Sequence, residues 1–174
     1  SSRVAEVARF IDADYVINIQ GDEPMLDPRM LRELAEGIVS DPGADSATVC
    51  VPIKDDKDFF NPNIVKVVTD QRGRALYFSR SPIPFMRNDT ECPMWEHLGI
   101  YAFTKEFLLK FVELPPTPLM QAESLEQLRI LEHGYTMAVI ATKYPSLGPN
   151  VNTEEDLQEV RRILAEEKEK NKPQ

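Results

Sequence analysis

Hydrophobic and polar positions along the chain repeat with two periods, and together the two periods predict an α/β fold. Apolar runs rich in β-branched and aromatic residues predict strands at 15–19, 46–53, 63–69, 74–79, 97–103 and 136–141. Apolar residues spaced three or four apart predict helices at 2–11, 28–39, 105–112, 124–132 and from 154 onward, with a short helix or turn at 55–60. The uncharged run at 15–19 is typical of a strand covered on both faces, so we expect a sheet between two helical layers.

Capping residues support the predicted helix starts. Asp27 is a good N-cap for the helix at 28–39, Thr104 caps the next long helix, and Asn152 or Thr153 caps the last one. The last helix is predicted to bury one stripe, made of Leu157, Val160, Ile163 and Leu164.

A hairpin is predicted within the sheet. The strands at 63–69 and 74–79 flank Asp70-Gln-Arg-Gly73, whose glycine suits the positive φ of a turn. The sheet is therefore expected to be mixed and mostly parallel, with an antiparallel hairpin excursion.

The chain is predicted to form one domain, 1–174, because 174 residues with 42% hydrophobic content are enough for one core. Three prolines within 81–93 exclude a central strand or helix interior there, so 81–96 is read as a long excursion towards a partner subunit. It exposes Phe85 and Met86 unless a second subunit covers them, which predicts a homodimer. Residues 166–174 are predicted to fray.

Charge and cysteine usage narrow the class of protein. The net charge of −9, with no basic stripe, argues against nucleic-acid binding. No membrane span or signal peptide is visible, and Cys50 and Cys92 form no metal-like or disulfide pair, so a cytoplasmic location is expected. An anionic ligand would need a divalent cation or a few placed basic residues to offset the acidic background.

The clearest candidate for chemistry is the corner Gln20-Gly-Asp-Glu-Pro24, which follows the strand at 15–19. In open α/β sheets, ligands bind beyond the carboxyl ends of the strands, and this corner would deliver Asp22 to that crevice together with Gln20. The alternative is an ordinary turn that happens to be acidic.

Other polar groups also lie at the predicted ends of strands or share one helix face. They are Ser79 with Arg80, His97 with Tyr101, the loop at 148–152, and Glu123 with Glu126 or Gln127. Arg80 suits a carboxylate ligand because its guanidinium is planar and always charged. From pattern alone, His97 is favoured to be a histidine at a strand edge whose hydrogen bonds are satisfied within the protein. Tyr101 could equally belong to the core, and Glu126 and Gln127 could lie on a solvent-exposed helix face.

Five segments, taken in order, resemble one family. They are Val16-Ile-Asn-Ile-Gln-Gly-Asp-Glu-Pro24, Phe60-Asn-Pro-Asn-Ile-Val-Lys-Val-Val68, Ala75-Leu-Tyr-Phe-Ser-Arg-Ser-Pro-Ile-Pro84, His97-Leu-Gly-Ile-Tyr101 and Glu123-Ser-Leu-Glu-Gln-Leu-Arg129. In this order they resemble the 3-deoxy-D-manno-octulosonate (Kdo) cytidylyltransferases, also called CMP-Kdo synthetases. The resemblance implies a Rossmann-like, GT-A-like nucleotidyltransferase fold.

The resemblance also implies a reaction and its residues. CMP would pass from CTP to the anomeric hydroxyl of Kdo, releasing pyrophosphate, in lipopolysaccharide biosynthesis with Mg²⁺ as cofactor. Asp22 matches the family's metal-binding catalytic aspartate. Residues on motifs that line the family's sugar pocket are Gln20, Arg80, His97, Tyr101, Glu123 and Gln127, with Arg80 expected to bind the sugar carboxylate.

This sequence departs from the family pattern at two places. The family opens with a strand and a basic phosphate-binding loop, and this chain starts after them, so it is expected to lack most of the nucleotide site. Asn152 stands where the family has a second metal-binding aspartate, and Mg²⁺ favours a charged ligand. Two alternatives therefore stay open: a catalytically impaired sugar-acid-binding or dimerising module, and a cytidylyltransferase for a related sugar acid.

Overall fold

The structure is a computed structural model that describes residues 2–88, 91–144, 151 and 153–170, with the backbone alone at 167–170. The helices are α1 (Ser2–Ala8), α2 (Pro28–Ser40), α3 (Asp56–Phe60), α4 (Lys105–Phe111), α5 (Pro118–Glu123), α6 (Leu128–Glu132) and α7 (Glu154–Lys170). The strands are β1 (Tyr15–Asn18), β2 (Ser46–Pro52), β3 (Lys66–Thr69), β4 (Ala75–Ser79), β5 (Trp95–Thr104) and β6 (Met137–Ala141). None of the helices among the described residues is long and apolar enough to cross a membrane.

Strand β5 organises the sheet. Strand β2 pairs with it along one edge, while β1 and β3 share the opposite edge, β1 at 101–104 and β3 at 95–96. Strand β6 pairs with the outer side of β2, and β4 forms a hairpin with β3. Because one long strand has two short partners on the same edge, that edge has a gap between them.

The mixed sheet and the hairpin are confirmed, but the expectation of a mostly parallel sheet was wrong for neighbouring strands. Among the described strands, only β2 and β6 pair in parallel, and the other pairs are antiparallel. The reason is β5, which runs antiparallel to all three of its partners. Gly73 has φ of 77° in the hairpin turn, as its position in the sequence predicts.

Helices cover both faces of the sheet, which confirms the three layers. On one face, α2 buries Met30, Leu34 and Ile38 against apolar residues of β2 and β5. On the other face, α1, α4 and α6 pack over an aromatic core that includes Phe78, Phe103 and Phe111. Asp27 caps α2 by accepting a hydrogen bond from the backbone N–H of Arg29 at 2.8 Å.

Helix boundaries differ from the sequence predictions at several places. Helix α1 ends at Ala8 rather than at residue 11. The predicted helix at 124–132 begins only at Leu128, because Ser124 adopts a left-handed conformation with φ of 54° that ends α5. The run Leu114-Pro-Pro-Thr-Pro118 predicts a break after α4 and no helix, yet Pro118 occupies the first turn of α5, where its missing N–H costs nothing.

The last helix and the proline-rich excursion follow the predictions in part. Thr153 Oγ1 accepts a hydrogen bond from Asp156 N, which confirms this residue as a cap, and Val160 is buried, but Leu164 is 41% exposed and leaves the predicted stripe. Helix α7 extends through Lys170, and residues 171–174 lie outside the described residues, so the fraying of 166–174 stays a prediction. The excursion ends before Trp95, where β5 begins.

A buried lysine joins the segment before β3, which borders the gap in the β5 edge, to the end of β4. Lys66 Nζ donates to the backbone carbonyls of Asn61, Ile64 and Arg80 at 2.9, 2.6 and 2.6 Å. Burial lowers the pKa of Lys66, and its three carbonyl partners satisfy all of the donors of an ammonium group. The segment before β3 is thereby tied to the end of β4.

Candidate functional site

The candidate site lies at the gap between β1 and β3 on the shared edge of β5. Two hydrogen bonds border the gap: His97 N donates to Val65 O at 2.8 Å, and Gln20 Nε2 donates to Gly99 O at 3.1 Å. Gly99 permits this close approach, because a Cβ there would lie 2.9 Å from Gln20 Nε2. The chain therefore leaves the edge of β5 at the corner after β1, as predicted for a ligand crevice.

A cavity of about 1080 Å³ opens at this gap. It brings together five of the residues that the sequence marked for a site: Gln20, Asp22, His97, Tyr101 and Gln127. Glu126 lines it as well, but Glu126 is exposed, whereas Gln127 is only 3% exposed. Gln127 is thus not on the solvated face that pattern alone favoured.

His97 is buried at the base of the cavity. Its ring packs edge-on against Phe78 at a centroid distance of 4.9 Å and lies 5.5 Å from the ring of Tyr101. Burial lowers the pKa of His97 to about 3, so the imidazole is neutral at pH 7. His97 therefore offers a hydrogen bond to a ligand and no positive charge.

Tyr101 and Gln127 form a second polar pair in the cavity. Tyr101 Oη donates to Gln127 Oε1 at 3.3 Å. Burial, with Glu126 and Glu23 nearby, raises the pKa of Tyr101, which keeps its hydroxyl protonated as a donor. Gln127 Nε2 is buried with no hydrogen-bond partner among the described residues. An unpaired buried donor costs about 1–3 kcal/mol, which a ligand acceptor would recover.

Carboxylates dominate the charge of the cavity. Its lining includes Asp22, Glu23, Glu96 and Glu126, while Arg3 is the only lysine or arginine among the described lining residues. Burial raises the pKa of Glu96, with Asp58 adding to the effect and Lys66 opposing it. An anionic ligand would meet a negative field here, so the expected need for a compensating cation still holds.

Arg80 and Glu123 lie outside the described lining of this cavity and bind each other instead. Arg80 Nε donates to Glu123 O at 3.0 Å, and one terminal nitrogen donates to Pro62 O at 3.2 Å. The Glu123 carboxylate accepts from Ser79 Oγ at 2.5 Å and from Arg80 N at 2.9 Å. Both residues hold the end of β4 against α5, and their predicted contacts with a sugar stay predictions.

Asp22 carries the carboxylate that the sequence predicts as a metal ligand, and it lines the cavity. Among the described residues, no cluster of three or more histidine, cysteine or acidic side chains forms a metal site. However, Val151 N donates to Asp22 O at 2.8 Å, which brings the segment before α7 to the corner after β1. Carboxylate and carbonyl oxygens are ligands that Mg²⁺ prefers. Asn152, the predicted second ligand, lies outside the described residues, as does the rest of its loop at 145–150.

Sequence reasoning missed three residues of this region: Thr48, Lys66 and Glu96. Thr48 is a buried polar residue in β2 whose hydroxyl contacts the His97 ring. A threonine within an otherwise apolar strand was the available signal. Lys66 and Glu96 are neighbours in the register of β3 and β5, which only the pairing of the strands reveals.

Comparisons with known proteins define the class first. The model of the family described as cytidylyltransferase matches residues 1–140, so the chain belongs to that family of nucleotidyltransferases. More narrowly, it is similar to 3-deoxy-manno-octulosonate cytidylyltransferases of Chlorobium limicola, at 46% identity over 94% of this chain and 67% of the relative, and of Solibacter usitatus, at 45% over 94% and 65%. The chain spans about two thirds of the length of these relatives.

Solved structures agree with this family. A structure of CMP:2-keto-3-deoxy-manno-octonic acid synthetase complexed with CTP superposes with a TM-score of 0.88 at 41% identity, covering 95% of this chain and 68% of the other. A putative glucose-1-phosphate thymidylyltransferase from Bacillus anthracis, at 14% identity and a TM-score of 0.57, covers 93% of this chain and 59% of its own. The second likeness shows a shared fold alone.

The buried neutral state of His97 predicts a pH dependence of stability. The pKa of about 3 in the folded protein lies below the ordinary value of 6.5, so the unfolded state binds an extra proton between these two pH values. Stability should therefore fall as the pH falls below 6.5, by about 2 kcal/mol between pH 7 and pH 5, as measured by urea unfolding. The loss should be absent in His97→Gln and retained in His133→Gln. Equal losses in His97→Gln and the wild type would contradict the assignment.

Proposed function

We propose that this protein transfers CMP from CTP to the anomeric hydroxyl of Kdo, releasing pyrophosphate, in lipopolysaccharide biosynthesis in the cytoplasm. The observation that carries the proposal is the cavity beyond β1, where Gln20, His97, Tyr101 and Gln127 present neutral polar groups beside the carboxylate of Asp22. Neutral donors and acceptors suit the hydroxyls of a sugar acid. The choice of Kdo as the sugar and CTP as the nucleotide is supported by the similarity to 3-deoxy-manno-octulosonate cytidylyltransferases.

The chain's own residues supply binding, orientation and placement of charge. Phosphoryl transfer depends on positioning and electrostatic stabilisation more than on covalent catalysis. Gln20, His97, Tyr101 and Gln127 hold the sugar. Asp22, in the corner after β1, would hold Mg²⁺, and Asn152 is the second ligand that the sequence suggests. When bound, Mg²⁺ neutralises charge on the CTP phosphates. The cation would also offset the repulsion between an anionic ligand and the carboxylates around the cavity.

Replacement of Gln127 should weaken sugar binding. In Gln127→Ala, the KM for Kdo should rise about tenfold with little change in kcat, because the variant loses a hydrogen bond made to the bound sugar. Pyrophosphate release measured against Kdo concentration checks this. Gln121→Ala, on the exposed face of α5, is the matched control and should leave KM unchanged.

Tyr101→Phe removes the partner of Gln127 without opening a large cavity, and it should raise the KM for Kdo in the same direction. An unchanged KM for Kdo in both variants would contradict the sugar assignment of this cavity.

Replacement of Asp22 should reduce turnover rather than sugar affinity. Asp22→Asn keeps the shape of the side chain and removes its charge, so kcat should fall about a hundredfold and Mg²⁺ dependence should weaken. Kdo affinity measured by calorimetry should stay within a factor of about two. Asp12→Asn, at an exposed carboxylate outside the cavity, is the control.

The outcome of the turnover assay also separates the remaining alternatives. Tight Kdo binding by the wild type without pyrophosphate release would favour a sugar-acid-binding module. Turnover with a different sugar acid in place of Kdo would favour a related cytidylyltransferase. Unchanged turnover in Asp22→Asn would contradict the role of this carboxylate.

We also propose that the protein forms a homodimer through the excursion at 81–94. Phe85 is 87% exposed there, beside the exposed Met86, and such a patch is typical of an interaction site. In Phe85→Glu, sedimentation should show dissociation at micromolar concentration. Phe10→Glu, at an equally exposed phenylalanine in the segment after α1, should sediment like the wild type. A monomeric wild type would contradict the proposal.

A further inference from the structure

Thr48, in β2, contacts the histidine of the cavity through its side-chain hydroxyl. Its Oγ1 lies 3.0 Å from His97 Nε2, 3.1 Å from Leu98 O and 2.8 Å from Ile100 O. The three partners span a bulge in β5: the register with β2 shifts between Thr48 and Val49, with His97 and Leu98 before the shift and Ile100 within it. The hydroxyl therefore holds the bulge and the imidazole at once.

Counting protons around this hydroxyl assigns the tautomer of His97. A threonine hydroxyl has one proton and two lone pairs, and carbonyl oxygens can only accept. If the hydroxyl donated to His97 Nε2, its lone pairs would face Leu98 O and Ile100 O with no proton between the oxygens. If it donates to the nearer carbonyl, Ile100 O, then the remaining contact requires His97 Nε2 to carry a proton and donate to Oγ1.

The other ring nitrogen, Nδ1, is then an acceptor and is left for a ligand. His97 Nδ1 has no hydrogen-bond partner among the described residues. It is also absent from the atoms among them that are both fully buried and without a partner. His97 is 8% exposed and lines the cavity. With Nε2 protonated and the ring neutral, Nδ1 presents a lone pair to that cavity.

We propose that Thr48 is a positioning residue whose hydroxyl fixes the Nε2–H tautomer of His97, so that Nδ1 accepts a hydrogen bond from a hydroxyl of the bound sugar. The ligand part of this inference rests on the proposed function, and the tautomer part does not. Gln127 Nε2, a buried donor in the same cavity, then takes an acceptor oxygen of the ligand.

This pairing sets the orientation of a sugar acid. A carboxylate oxygen next to Nδ1 would bring two sets of lone pairs together, whereas a hydroxyl would donate its proton. The sugar carboxylate therefore points away from His97, and His97 selects for a hydroxyl at its position. A deoxy analogue that lacks this hydroxyl should be bound less tightly, because it leaves Nδ1 without a donor.

The tautomer is measured directly by ¹⁵N NMR of the histidine ring in the free protein at pH 7. The wild type should show a pyrrole-like shift for Nε2 of His97 and a pyridine-like shift for Nδ1. Thr48→Ser keeps the hydroxyl and should keep this spectrum, while Thr48→Val should gain the Nδ1–H form. Thr142→Val, which removes a buried hydroxyl that bonds Glu33 instead, is the matched control and should keep the wild-type spectrum.

Binding of Kdo, measured by calorimetry on the same proteins, tests the ligand part. Thr48→Val should weaken binding about tenfold, the equivalent of one hydrogen bond, and Thr48→Ser should restore it to within about twofold. An Nδ1–H tautomer in the wild type would overturn the inference, even if Thr48→Val fails to fold. The predicted tautomer in a wild type that does not bind Kdo would overturn the ligand part and the proposed function, and would leave the role of Thr48 standing.

Discussion

The shared edge of β5 is the constraint on which the rest of the site depends. Strands β1 and β3 cover the two ends of that edge and leave Gly99 and the backbone beside it for other partners. The side chain of Gln20 donates a hydrogen bond to the carbonyl of Gly99, and the carbonyl of Val65 accepts one from the N–H of His97. A cavity forms where the two strands diverge, because neither can continue along β5 without displacing the other.

The side chains around this gap are held by groups that do not face a ligand. Lys66 ties the segment before β3 to the end of β4, and Thr48 contacts both His97 and the bulge that follows it in β5. Such supports let neutral side chains keep fixed positions in the cavity. A rigid arrangement of hydrogen-bonding groups is favourable for recognising a sugar, since little conformational entropy is lost on binding.

The sequence predicted the sheet and the three layers, because strand and helix periodicity are local signals. The corner at Gln20-Gly-Asp-Glu-Pro24 is a local signal as well, whereas His97, Tyr101 and Gln127 were assigned to a pocket by the resemblance to a family. The pairing order was harder to predict: β5 contacts strands that are distant along the chain, so its antiparallel neighbours were missed. Helix α5 was missed because prolines mark both breaks and helix starts, and Pro118 is a start.

Side-chain roles that depend on tertiary contacts also could not be predicted from the sequence. His97 gave no sign of its burial or of its tautomer, since both follow from Phe78 and Thr48, which come from other strands. Arg80 was expected to meet a sugar carboxylate from its charge alone, whereas its guanidinium bonds two backbone carbonyls. Charge and residue type indicate what a side chain can bind, and only packing decides which partner reaches it.

The most direct test of the central claim is a crystal structure of the protein with Kdo bound. The account predicts that the sugar occupies the gap between β1 and β3, with a hydroxyl on His97 Nδ1 and an oxygen on Gln127 Nε2. Kdo bound elsewhere, with the gap empty and Gln127 still unpaired, would contradict it.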